Sequence, residues 1–124
     1  MSDIPEIEEA AVAERGRQLA AIEEWRLRID TVDDQIVRLL NSRSVFAVEI
    51  GRIKRAIGEP IYSPDRERRL LERLEQVNPG PLDTLAVRRL FERVIDESRR
   101  LERLAAEQEP GPAGGPKGRS QEGS

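Results

Sequence analysis

Apolar residues recur in steps of three and four at Ile22, Trp25, Ile29, Val32, Ile36, Leu39, Phe46, Ile50, Ile53 and Ile57, and one slot in that rhythm, position 43, holds an arginine. This spacing draws a single apolar stripe along an α-helix. The pattern reaches from about Arg17 to Ile57, and at ~1.5 Å rise per residue such a helix would be ~60 Å long. A chain of 124 residues cannot cover so long a seam by folding compactly on itself. The expectation is an all-α protein with a long first helix, its seam closed by a second copy wrapped against it.

Composition limits the chemistry. With 36% charged and 3% aromatic residues, this is the make-up of long exposed helices. Cysteine and histidine are both absent, which removes disulfides, thiol nucleophiles, the usual zinc ligands and imidazole acid/base catalysis. No metal or cofactor is therefore expected, and catalysis would fall to Arg, Lys, Glu, Asp, Ser or backbone groups. The 21 basic and 24 acidic residues are interleaved, also around Arg99 and Arg100, so no basic face follows a phosphate backbone and nucleic acid is not an expected partner. No apolar run approaches the ~20 residues of a membrane span, and the acidic start, residues 1–9, lacks the features of a secretory signal. The expected setting is the cytoplasm, away from membranes.

Three segments follow from the pattern. Residues 1–16 form an acidic, Ala-rich extension that Gly16 should weaken into a frayed continuation of the helix. Residues 17–107 form the domain, and residues 108–124, rich in Gly, Pro and charge, should be disordered. Within the domain, Gly58-Glu59-Pro60 ends the first helix. Ser63-Pro64-Asp65 starts a second, with Ser as cap and Pro at the first helical position. Its apolar face is Leu70, Leu71, Leu74 and Val77, before Asn78-Pro79-Gly80-Pro81 breaks it. A third helix opens at Asp83, with Leu82 and Val87 placed to staple its first turn. Its stripe reads Leu90, Phe91, Val94, Ile95, Ser98, Leu101 and Leu104, with Glu102 beside it.

Polar residues on these stripes need an explanation. Arg43 sits between Leu39 and Phe46, and a guanidinium on a seam is costly unless an anion meets it. Lys54, the only lysine before the tail, follows eleven positions later, close to three turns and ~16 Å along the same face. Two cations facing one cavity are best accommodated by a dianion between them. The alternative is that Arg43 pairs with Glu67 or Glu102 while Lys54 reaches out to water. Tyr62 and Trp25 are expected to serve only in packing.

The order of these residues is similar to that of the all-α chorismate mutases. The resemblance rests on Trp25-Arg26-Leu27-Arg28-Ile29-Asp30 to Asp33, then Leu39-Leu40-Asn41-Ser42-Arg43, then Ala47-Val48-Glu49-Ile50-Gly51-Arg52-Ile53-Lys54. It continues through Pro60-Ile61-Tyr62-Ser63-Pro64-Asp65-Arg66-Glu67 and ends on Leu90-Phe91 with Ile95-Asp96-Glu97-Ser98, covering about Ala21 to Leu104. It implies a three-helix chorismate mutase type II fold, an intertwined homodimer with two active sites, and isomerisation of chorismate to prephenate on the way to phenylalanine and tyrosine. By the same resemblance Arg26 is donated across the dimer and Arg43 meets a substrate carboxylate. Lys54 contacts the ether oxygen and a carboxylate, and Arg66 supports the site. Glu67 accepts from the ring hydroxyl, Ser63 lies near that hydroxyl and Ser98 lies near a carboxylate. A reach argument agrees with the division: Arg26 lies seventeen positions before Arg43, ~25 Å along the helix and ~100° around it, so one chain cannot bring both to one small ligand.

The reaction suits such a residue set. A Claisen rearrangement is unimolecular and concerted, so an enzyme helps by holding the chair-like conformer and stabilising negative charge on the breaking ether oxygen. Two positions depart from the family. Ser63 stands where many relatives carry Asp, and Glu102 where many place a Gln that donates to the ether oxygen. A carboxylate cannot donate there; only the protonated acid can. Burial would raise the Glu102 pKa and Lys54 would lower it, so turnover should fall as pH rises through that pKa. Two other readings fit the residues: an isochorismate-pyruvate lyase of the same fold, and a non-catalytic helical dimerisation or regulatory module whose inward charges fix register.

Overall fold

The computed structural model describes residues 4–108, which form three helices, α1 (Ile4–Ile57), α2 (Pro64–Val77) and α3 (Thr84–Gln108), with no strand among them. The chain divides into two units, one ending at Leu39 and one beginning at Leu40. The expected disorder of the tail concerns residues outside the described ones, apart from Gln108, which closes α3.

In the first unit α1 is already formed at Ile4, so the described part of the extension continues the helix. Pro5 suits a first turn, and Glu6 sits at the positive end of the helix dipole. Gly16 costs about 1 kcal/mol relative to Ala, but Glu14 spans it. Its carboxylate binds Arg17 at 2.6 Å and accepts from Gln18 at 2.7 Å, one turn further on. None of the described residues of this unit is buried. Its stripe residues Ile22, Trp25, Ile29, Val32, Ile36 and Leu39 are 44% to 67% exposed, so the single chain leaves the seam open.

The second unit has a core. Leu70 and Leu71 of α2 pack with Ile95 of α3, and Leu74 and Phe91 close around them. The helix ends are built as the sequence leads one to expect. Gly58, at φ 77°, takes the left-handed turn after α1. There Gly58 N–H donates to Arg55 O at 3.3 Å and Glu59 N–H to Lys54 O at 2.8 Å, the paired bonds of a Schellman cap. Ser63 caps α2 by accepting from Arg66 N–H at 3.3 Å, and Asp83 caps α3 by accepting from Ala86 N–H at 2.7 Å. Asn78 ties the α2–α3 connection, donating to Leu82 O at 2.7 Å and accepting from Gly80 N–H at 3.1 Å. Val87 is buried and Leu82 exposed. No helix among the described residues is long and apolar enough to cross a membrane.

Candidate active site

The last turns of α1 set two cations. Because Glu59 N–H is bonded back to the Lys54 carbonyl, the cap that stops the helix also fixes the backbone from which the Lys54 side chain leaves. The Lys54 ammonium then donates to Ile61 O at 3.2 Å, across the turn that follows. Three turns earlier, Arg43 donates from Nη1 to Ser98 Oγ of α3 at 2.6 Å. Ser98 is buried, and so is Glu102 one turn on, at 8% exposure. Facing them, the start of α2 contributes Ser63, Arg66 and Glu67.

These side chains line one cavity of about 440 Å³, walled on its apolar side by Phe46, Ala47, Ile50, Ile61, Leu70 and Ile95. That volume lies within the roughly 300–1,000 Å³ range of small-molecule sites. Seven of the eight residues singled out from sequence meet there: Arg43, Lys54, Ser63, Arg66, Glu67, Ser98 and Glu102. The eighth, Arg26, belongs to the unit ending at Leu39, where it is exposed and binds Glu23 at 2.7 Å.

Electrostatics at the cavity is unbalanced toward positive charge. Among the described residues, Arg43, Lys54, Arg66 and Arg99 line it against two carboxyls, Glu67 and Glu102. Burial pulls the Arg43 pKa down, Arg66 pushes in the same direction, and Glu102 partly compensates. Burial also pushes the Glu102 carboxyl above its ordinary value, against the opposing pull of Lys54, Arg99, Arg43 and Arg55. Desolvation penalises only the charged form, and here it outweighs the pull of four nearby cations. Such a cavity can hold a small dianion and offer it Lys54 as a donor, with Glu102 able to donate only as the protonated acid.

One alternative raised by the sequence is corrected. Arg43 bonds to Ser98 and not to Glu67 or Glu102, because Glu67 is engaged by Arg99 at 3.1 Å. Lys54, half-buried, gives one of its three donor hydrogens to the Ile61 carbonyl. The two aromatic residues expected to serve in packing each carry an arginine. The Tyr62 ring is exposed and carries the Arg99 guanidinium 4.8 Å from its centre, and the exposed Trp25 ring carries Arg28 at 4.4 Å.

Two residues at the site were not singled out beforehand. Arg99 borders the cavity from α3, where a sequence shows only one more arginine beside a stripe. Gly51 is buried in the middle of α1, and a Cβ built on it would lie 3.0 Å from Glu102 Oε2 and 3.1 Å from Glu102 Cγ. Its missing side chain is the space into which Glu102 folds. A glycine interrupting a strong helical pattern was the available signal, since it costs about 1 kcal/mol unless a close approach requires it.

Known proteins resemble this chain in sequence and fold. The family model described as chorismate mutase type II matches residues 25–103, more than half of the chain. Among solved structures, chorismate mutase (form II) from Thermus thermophilus is 38% identical, with a TM-score of 0.65 over 66% of this chain and 93% of that one. Chorismate mutase from Helicobacter pylori in complex with prephenate is 30% identical, with a TM-score of 0.69 over 73% of this chain and 99% of that one. The bifunctional chorismate mutase/prephenate dehydratase of Neisseria gonorrhoeae is 42% identical over 78 residues, which are 63% of this chain and 21% of that protein. Its Escherichia coli K12 counterpart is 38% identical over 74 residues, 59% of this chain and 19% of that protein. The chain thus spans about a fifth of the length of the curated relatives it matches.

Proposed function

Because the chain belongs to the chorismate mutase type II family, we propose that it isomerises chorismate to prephenate, with two copies completing each active site. The observation that carries this reading is the convergence of Arg43, Lys54, Arg66 and a buried, proton-favouring Glu102 on one cavity of small-molecule size. Chorismate has two carboxylates, a ring hydroxyl and an enolpyruvyl ether. Arg43, held by Ser98, meets one carboxylate, and Arg66 supports the site from α2. Lys54 and protonated Glu102 donate to the ether oxygen, on which negative charge grows as the C–O bond breaks and the new C–C bond forms. The donors are placed before the reaction begins, so stabilising that charge needs little reorganisation. No proton leaves the substrate and no covalent intermediate is formed, which matches a site without histidine or cysteine.

The second copy enters through the open seam of the first unit. Covering the stripe from Ile22 to Leu39 with a partner's helix would bury apolar surface at roughly 25 cal/mol per Å². It would also allow Arg26 of one chain to reach the cavity of the other, where a second substrate carboxylate waits. The test is direct. Purified protein should consume chorismate and accumulate prephenate; pyruvate released from isochorismate, with chorismate untouched, would favour the lyase chemistry instead. Mixed Arg26→Ala and Arg43→Ala chains, each inactive alone, should recover about a quarter of wild-type activity. Random pairing makes half the dimers mixed, and each mixed dimer has one intact site out of two. Failure to recover any activity would remove the shared-site arrangement.

A further inference from the structure

Arg99 is held from three sides. Its Nη2 donates to Asp96 Oδ1 at 3.0 Å, one turn back on α3. Its Nη1 lies 3.1 Å from Glu67 Oε2 on α2, and its guanidinium stacks over the Tyr62 ring at 4.8 Å in the turn before α2. Both partners of the ion pair are mostly shielded, with Arg99 28% and Glu67 24% exposed, so solvent weakens the pair less than it weakens a surface bridge. The same two residues line the cavity. The rearrangement as proposed above gives Arg99 no contact with substrate, and its charge reaches Glu102 only at a distance; by contact it ties α3 to α2 and to the turn before α2.

Glu67 is a flexible side chain, and ordering one like it costs up to ~1.5–2 kcal/mol of rotamer freedom. An acceptor that must read a single hydroxyl benefits when that cost is met before the ligand arrives. A carboxylate keeps lone pairs on both oxygens, so Glu67 can hold Arg99 through Oε2 and still accept a hydroxyl hydrogen. Ser63, the other residue near that end, accepts the α2 cap bond and keeps its own hydroxyl hydrogen to donate. As an acceptor for the ring hydroxyl's hydrogen the charged Glu67 is the stronger partner, and Arg99 holds Glu67. Resting on the chorismate reading above, we propose that Arg99 is a positioning residue for the ring hydroxyl: through Asp96, Glu67 and Tyr62 it fixes the Glu67 carboxylate at the cavity wall, so that substrate lacking or misplacing the hydroxyl loses this contact.

A merely structural ion pair would affect every substrate alike, and that difference supplies the test. For Arg99→Ala, kcat/KM for chorismate should fall roughly ten- to a hundredfold, the range for a hydrogen bond to a charged group. For an analogue lacking the ring hydroxyl, the same variant should stay within about twofold of wild type. In a Glu67→Gln background the Arg99→Ala loss should largely vanish, because there is no carboxylate left to place. Arg99→Lys keeps the charge but cannot serve Glu67 and Asp96 from one rigid fork, so it should recover only part of the loss and guards against a misfolded alanine variant. Equal losses on both substrates, or an undiminished loss in the Glu67→Gln background, would overturn the positioning role alone. Wild-type protein that leaves chorismate unchanged would overturn the functional reading beneath it.

Discussion

The two units of this chain differ less in their apolar stripe than in what is set beside it. Up to Leu39 the stripe is apolar, uninterrupted and open: Ile29, Val32 and Ile36 are about half exposed. From Leu40 on, the stripe is just as open, with Phe46 66% and Ile50 53% exposed, but Arg43 takes one of its slots, Gly51 and Lys54 lie beside it, and this unit has both a core and a cavity. An apolar seam gains by burial against another surface. The residues that interrupt or flank it are each matched within the unit. Arg43 has Ser98 to bond, Lys54 has the Ile61 carbonyl, and Gly51 makes room for Glu102.

That contrast can be broken at either half. The largest effect is expected from a charge on the open seam. Ile36→Glu would place a carboxylate where the partner's helix should pack, a burial worth several kcal/mol. The protein should then elute as a monomer and lose two or more orders of magnitude in turnover, since Arg26 no longer reaches its site. A monomer that keeps full turnover would refute the division of labour. In the other half, Lys54→Ala should cost about 10²–10³-fold in kcat/KM while helicity and elution volume stay those of wild type. An equal loss of both would mean that Lys54 serves the fold.

A smaller and more diagnostic effect concerns Glu102, which faces Lys54, Arg99, Arg43 and Arg55. Its folded pKa lies above the ordinary 4.5, so between those two values the folded protein retains a proton that the unfolded chain releases. The associated stability is complete below the ordinary value and lost as pH rises through the raised one. Activity follows the same sign if the protonated acid is the donor, falling about tenfold per pH unit above the folded pKa. Glu102→Gln carries a permanent donor and should give a flat profile over that range. A profile identical to wild type in that variant would remove Glu102 from the ether oxygen.

Much of this was legible beforehand because it depends on short-range pattern. Gly58 and Ser63 mark helix ends through backbone geometry that only their immediate neighbours influence, and both behave as read. The faces of α2 and α3 follow from the positions of Leu70, Leu71, Phe91 and Ile95 within a 3.6-residue period. In the extension a local feature of a different kind was not legible. Gly16 signals weakness by itself, whereas the Glu14 bonds to Arg17 and Gln18 that cross it depend on side-chain geometry. At the site, seven residues singled out from sequence line one cavity, but the bonding partner of Arg43 is Ser98 and neither of the carboxylates of the alternative reading. Choosing among acceptors several elements away is a three-dimensional question with no periodic signature.

Sequence alone determined that the chain is helical, that one apolar stripe runs along its first helix, and that Arg43 and Lys54 follow on that helix in the order characteristic of one family. Periodicity and capping are local, and each leaves its mark within a few residues. Only the tertiary structure decided that Glu102 folds against Gly51 and is buried, and that Arg99 links Glu67 to Tyr62 at the cavity mouth. Those outcomes depend on desolvation and on distances between helices, which are properties of the packed chain and not of any stretch of it.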